Sequence, residues 1–179
     1  PIIHISTDYV FDGESGPNKE TDPTNPLNVY GSSKLASENL LLNQSEDSLV
    51  IRANVLYDYA SRSSASFLNW VIDSLEEGKE INVVEDQWNN PTWTSSLAVV
   101  IDRSIDIGLN GLLHWGDGDW ISRYEFANKI ADVFNLKKSL IKPIKTSELD
   151  QTATRPLKAG LDSKFAQTML NLEPPSVEE

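Results

Sequence analysis

Of the five tyrosines in the chain, one has a lysine four residues on: Tyr30 and Lys34, in Tyr30-Gly31-Ser32-Ser33-Lys34. On a helix that spacing stacks the two side chains on one face, so the ammonium can sit near the phenol. A phenol with a pKa of about 10 exchanges protons poorly near neutrality unless a cation stabilises its anion. Lys34 supplies that cation. The second element is Ser6-Thr7-Asp8-Tyr9, at the end of a short apolar run. In an open parallel sheet, ligands bind beyond the carboxyl ends of the strands, where a Thr7 hydroxyl is placed to donate to a carbonyl oxygen. Each feature also has a plain structural reading: a tyrosine at a helix start beside a solvated lysine, and a threonine that closes a turn.

Those residues need a strand and a helix to carry them. Residues 2–6 are apolar and β-rich, as in a strand covered on both faces. Residues 12–28 turn to Gly, Pro, Asn, Asp and Glu, and Pro17, Pro23 and Pro26 exclude a regular helix, which leaves a long loop. Asn28 suits an N-cap, after which Lys34, Leu35, Glu38, Leu41 and Leu42 continue at helical spacing towards Asn43. Residues 49–51 read as a strand. A helix over about 66–77 places Phe67, Trp70, Val71 and Leu75 on one side and closes at Gly78.

Residues 81–84 are strand-like, 89–91 a turn, 95–106 helical, 112–115 a strand and 116–118 a turn. Ser122 with Glu125 three residues on spells a capping box, and Phe126, Ile130, Val133 and Phe134 form the expected buried stripe behind it. Residues 142–144 are extended, Arg155-Pro156 lies in a loop, and Asp162 caps a last short helix to about Leu170. Strand and helix alternate without repeats or low-complexity tracts, which points to an α/β fold with a mostly parallel sheet.

The 179 residues, 19.9 kDa, suffice for one domain with a sizeable core or part of a larger one. A net charge of −12 repels nucleic acid and anionic membrane over most of the surface. The absence of cysteine excludes disulfides, thiolate metal sites and a cysteine nucleophile. No apolar run approaches the roughly 20 residues that span a bilayer, and the opening lacks a basic leader region, so the expectation is a soluble, cytoplasmic protein. An apolar strand at the very first residues reads as a chain that begins in the middle of a fold. Asp117 and Asp119 suit a turn rather than a calcium loop. His4 and His114 read as satisfied core histidines, and the tryptophans of the second half as core or pocket wall; no metal site is expected.

Ser6-Thr7-Asp8-Tyr9-Val10-Phe11-Asp12-Gly13 and Pro26-Leu27-Asn28-Val29-Tyr30-Gly31-Ser32-Ser33-Lys34-Leu35-Ala36-Ser37-Glu38 together resemble the active-site half of the extended short-chain dehydrogenases/reductases, and specifically the dTDP-4-dehydrorhamnose reductase group. Residues 52–57, Asp86-Gln87-Trp88-Asn89-Asn90-Pro91-Thr92, Gly111-Leu112-Leu113-His114-Trp115, and Arg155-Pro156 followed by Leu161-Asp162 carry the resemblance over nearly the whole chain. It implies reduction of the 4-keto group of a nucleotide-activated deoxysugar by NADPH or NADH. Tyr30 would be the proton donor, Lys34 would lower its pKa and bind the nicotinamide ribose, and Thr7 would hydrogen-bond the reacting oxygen. Ile5 would touch the cofactor through its backbone. Asp8 and Val55 would touch substrate, and Thr92 and Arg155 would line the sugar-nucleotide side, where an arginine can pair with a pyrophosphate.

Two departures bear on that expectation. No G-x-x-G-x-x-G or G-x-G-x-x-G pattern occurs, so the chain alone should bind dinucleotide poorly and be inactive by itself. Reductases of this group commonly carry Trp where this sequence has Val55, which leaves the exact sugar open. The regulatory β subunit of methionine adenosyltransferase is also similar, through His114-Trp115-Gly116, Tyr124-Glu125 and Ile130-Ala131-Asp132-Val133-Phe134-Asn135-Leu136; there the protein would bind a dinucleotide and dock on a partner. The expected architecture is the C-terminal part of a Rossmann-type parallel sheet with a small α/β substrate-binding lobe. Residues 1–81 would be the C-terminal half of an NAD(P)-binding domain with the catalytic helix, and residues 82–179 the lobe. A nucleotide sugar is the expected partner, without nucleic acid or membrane, and a homodimer is compatible with the sequence.

Overall fold

The computed structural model describes residues 2–59 and 66–178. Its elements in chain order are β1 (Ile2–Thr7), α1 (Val29–Gln44), β2 (Ser48–Ala53), β3 (Leu56–Tyr57), α2 (Phe67–Glu76), β4 (Ile81–Val84), β5 (Trp88–Asn89), β6 (Thr92–Trp93), α3 (Thr94–Asp106), β7 (Gly111–His114), β8 (Ile121–Ser122), α4 (Arg123–Val133), β9 (Ile141–Ile144) and α5 (Lys164–Leu170).

The main sheet has the order β1-β2-β7 and is parallel throughout, with Thr7 opposite Ala53 and Arg52 opposite His114. This is the α/β class expected from the alternation of elements. One face buries Leu49, Ile51, Leu113 and Trp115 against Leu97 and Val100 of α3 and Ala166 and Leu170 of α5. The other face, towards α1, carries a polar cluster: Ser6 and Arg52 meet Glu38, and His114 meets Arg52.

A second core lies around the parallel pair β4-β9, where Ile81, Val83 and Ile141 pack with Leu68, Val71, Ile72 and Leu75 of α2 and Phe126, Ala127 and Ile130 of α4. Because α2 belongs to that core, the division anticipated at 81/82 runs between α2 and the elements it packs on. Pro143 is tolerated in β9, which is paired on one side only.

The expected caps Asn28 and Ser122 each accept from a backbone N–H in the first turn, and Ser122 and Glu125 make the reciprocal capping box. Ser66, read as the first residue of its helix, caps α2 in the same way. Gly78 closes α2 with φ 71°, where a side chain would be strained. Four details differ. Val133 is 57% exposed, because the stripe of α4 centres on Phe126, Ala127, Ile130 and Ala131 and Val133 lies about a quarter-turn from that centre. Trp70 is 40% exposed, its ring leaning on Phe67. The segment taken as one turn at 89–91 is a corner between two short pairings, β5 with β8 and β6 with β3. The last helix starts after Ser163, although the Asp162 carboxylate still accepts from Lys164 N–H at 3.0 Å.

Candidate active site

The C-terminal end of β1 opens into a cavity of about 930 Å³. Ile5, Thr7, Asp8, Tyr30, Val55 and Arg155 all line it. Tyr30 comes to it because α1 begins tight against the chain that leaves β1: a Cβ on Gly31 would lie 2.2 Å from the Tyr9 carbonyl oxygen, so only glycine allows the approach. The Tyr30 ring, half exposed, meets Tyr9 edge-on with centroids 5.8 Å apart. Lys34 is not part of the wall, but its Nζ donates to the Ile5 carbonyl oxygen at 2.5 Å, which tethers the ammonium to a residue of that wall. Thr7 does what the plain reading asked as well: its Oγ1 accepts from Tyr9 N–H at 3.2 Å and donates to Asp8 at 3.3 Å.

Asp8 is buried, and burial pushes its carboxyl up to about 6, against hydrogen bonds from Asn54, Thr7 and the Gly160 N–H and the charge of Arg123. Thr92 is placed otherwise than expected. It is fully buried away from the cavity, and its hydroxyl donates to Asn54 Oδ1 at 3.2 Å while its N–H donates to the Val55 carbonyl. It therefore acts beneath the wall, holding the two residues that form it. Val55 has φ 41°, a strained conformation for a β-branched side chain, and that strain sits at the site.

Asn54, Arg123 and Tyr9 escaped the sequence reading. Arg123 opens α4, more than a hundred residues from Tyr9, so no local spacing announces it. Its guanidinium stands 5.0 Å over the Phe67 ring, and burial lowers its pKa, opposed by Tyr9 and reinforced by Arg155. Burial is the first cause that raises the Tyr9 phenol, and the charge of Arg155 opposes it. The two arginines line both this cavity and a second one of about 600 Å³, which Phe67, Trp70 and Gln87 complete. Two guanidiniums thus stand at the junction of two cavities in a chain of net charge −12, an arrangement able to pair with an anionic group.

Behind the cavity, α1 is pinned to the sheet. Arg52 donates to both Glu38 oxygens, at 3.0 and 3.1 Å from Nε and 2.6 Å from Nη2, and Ser6 donates to the same carboxylate. Arg52 Nη1 lies 3.1 Å from His114 Nε2, and His114 Nδ1 lies 3.0 Å from the Asn18 carbonyl. Since a guanidinium only donates and a carbonyl only accepts, His114 carries its proton on Nδ1. Burial, then the Arg52 charge, push this imidazole down to about 3. His114 is thus a satisfied core residue, as read. His4 is partly buried with Nε2 unpartnered. Asp117 accepts from Trp93 N–H and Ser96 at the start of α3, and burial raises it to about 6. Among the described residues no cluster of His, Asp and Glu could hold a metal ion, and no helix is long and apolar enough to cross a membrane.

A family profile described as the RmlD substrate binding domain matches residues 1–179. Methionine adenosyltransferase 2 subunit beta from Bos taurus is 36% identical over 174 residues, 94% of this chain and 52% of that protein. The probable low-salt glycan biosynthesis reductase Agl14 of Haloferax volcanii is 31% identical and covers all of this chain, which spans 61% of it. The crystal structure of dTDP-4-dehydrorhamnose reductase from Bacillus anthracis in complex with NADP superposes with a TM-score of 0.90 at 32% identity, covering 98% of this chain and 62% of that one. The chain spans about half the length of the methionine adenosyltransferase subunits it matches.

Proposed function

The chain belongs to the RmlD substrate binding domain family, and we propose that it carries the proton-transfer and substrate half of an NAD(P)H-dependent reductase acting on the 4-keto group of a nucleotide-activated deoxysugar. The observation that carries this reading is Thr7 and Tyr30 on the wall of one cavity, with Lys34 tethered to Ile5 of that wall and Arg123 and Arg155 lining the same cavity. Tyr30 hands its phenolic proton to the keto oxygen as it gains charge, and Lys34 stabilises the phenolate left behind. Thr7 orients the same oxygen. The arginines take the diphosphate, and Asp8 and Val55 face the sugar.

The donor set at the end of β1 suits the nicotinamide-ribose end of a dinucleotide. Lys34 has three N–H donors and spends one on Ile5, Tyr30 offers a hydroxyl, and Ile5 offers backbone. The bound dinucleotide supplies the hydride. Its phosphates need a glycine-rich turn, which this sequence does not contain. The setting that goes with this reading is the cytoplasm.

The test is cofactor absorbance with a 4-ketodeoxysugar nucleotide, on a protein that carries this chain together with a glycine-rich nucleotide-binding unit. Tyr30→Phe should lower the rate at least about 100-fold, the scale of a lost general acid, with cofactor binding little changed. Near-normal turnover would remove Tyr30 from the mechanism. The 36% identity to methionine adenosyltransferase 2 subunit beta supports a second reading, a dinucleotide-binding regulatory subunit; tight cofactor binding without turnover, and capture of a synthetase, would favour it.

A further inference from the structure

Residues 149–155 form a strap between two cavities: Thr152, Ala153, Thr154 and Arg155 line the one at the end of β1, and Leu149, Gln151 and Arg155 line the second. The strap is anchored at both ends. Before it, the Thr146 N–H and hydroxyl donate to Asp86. After it, Pro156 sits against Gly13, and Lys158 N–H donates to the Gly13 carbonyl at 2.8 Å. Between these anchors the N-cap residue of α1 reaches it: Asn28 Nδ2 donates to the Thr154 carbonyl at 2.8 Å. The other arm of the same amide, Oδ1, accepts from Gly31 N–H at 2.9 Å and caps α1.

We propose that Asn28 is a positioning residue that latches this strap to the start of α1, so that the seat of Arg155 and the seat of Tyr30 are set by one side chain. On the other side Tyr9 packs edge-on against Tyr30, and Tyr9 and Arg155 line the same cavity. An anion drawn in by Arg155 therefore finds this part of the wall and the phenol already in place. The latch stands on the two hydrogen bonds of Asn28; its bearing on an anionic ligand rests on the reading of the cavity given above.

The two arms separate by substitution. Asn28→Ser keeps an uncharged capping oxygen and loses the amide donor, and Asn28→Asp keeps the cap and turns an oxygen towards the Thr154 carbonyl. By ¹⁵N relaxation of the chain, the 152–155 amides should be ordered in the wild type, with order parameters near 0.85, and fall below about 0.6 in both variants. The Gly31 amide should keep its protection from exchange. Inorganic pyrophosphate, titrated as probe, should bind Asn28→Ser roughly five- to ten-fold more weakly than wild type, the scale of one hydrogen bond that no longer pre-orders the site. A strap equally ordered in wild type and variants overturns the latch, as does loss of Gly31 protection together with strap order, which would make Asn28 a helix cap alone. Ordered-to-loose behaviour without pyrophosphate binding in the wild type leaves the latch standing and overturns the anion site.

Discussion

Glu38 and Arg52 face each other between α1 and β2 with Oε2 and Nη2 2.6 Å apart and side chains 1% and 4% exposed. Glu38 is four residues beyond Lys34 and eight beyond Tyr30, so one stripe of α1 carries the proton donor, its cation and the anchor. Removing one partner strands a buried charge, whereas removing both does not. Arg52→Met should therefore cost about 3–5 kcal/mol in urea unfolding, and adding Glu38→Gln should recover part of that loss. A double variant no more stable than Arg52→Met would show that the stranded charge is not the source of the cost.

Thr92 supports the wall from beneath, and its hydroxyl is the measurable part. Thr92→Val keeps the shape and leaves Asn54 Oδ1 short of a buried donor, which costs roughly 1–3 kcal/mol. Asn54 also donates to Asp8 and to Asn90, so the loss should spread to the cavity. Unfolding midpoints should fall and the Asn54 side-chain amide signals should broaden. An unchanged midpoint would show that the Thr92 hydroxyl does not support Asn54.

How much of this was legible depends on whether the signal is local. The capping box and the Tyr30-Lys34 pair are read from spacings of three or four residues, which is the reach of helical geometry, and the long loop after β1 from its prolines and glycines. Thr7 followed from the rule that sites lie past strand ends, and Asp8 from the family resemblance. Arg123, Asn54 and the second arm of Asn28 were not legible, since each meets partners dozens of residues away and a single sequence does not fix such pairings. Thr92 lay in a motif that resembled the family, yet resemblance places a residue near a site without saying which way it points. Glu38 could have been found, since it continues the i, i+4 stripe of Tyr30 and Lys34 and is a carboxylate on a helix face otherwise directed at the sheet.

Gly31 sets how closely α1 approaches the end of β1. A methyl there would meet the Tyr9 carbonyl at 2.2 Å and Pro26 at 3.0 Å, and neither is the free end of a flexible side chain. Gly31→Ala should cost about 1–3 kcal/mol, the usual scale of overpacking, despite the better helix propensity of alanine. Because Tyr30 is the adjacent residue, turnover under the proposed function should fall more than cofactor affinity. A variant as stable and as active as wild type would show that the helix start has room to shift without moving Tyr30.

Asp8 should make anion binding depend on pH in a predictable direction. Burial holds its carboxyl at about 6, so near pH 7 it is ionised and offsets Arg123, and near pH 5 it is neutral and Arg123 acts on a ligand unopposed. Pyrophosphate affinity of the wild type, relative to Asp8→Asn, should therefore rise as pH falls from 7 to 5, by a few-fold to about ten-fold. Linkage requires the converse: a bound anion raises the Asp8 pKa further, because it favours the neutral carboxyl. The ligand's own protonation weakens binding over the same range, but it does so equally in both proteins and cancels in the comparison. Titration calorimetry at several pH values measures the difference, and parallel pH curves for wild type and Asp8→Asn would mean that Asp8 does not share the field of the anion site.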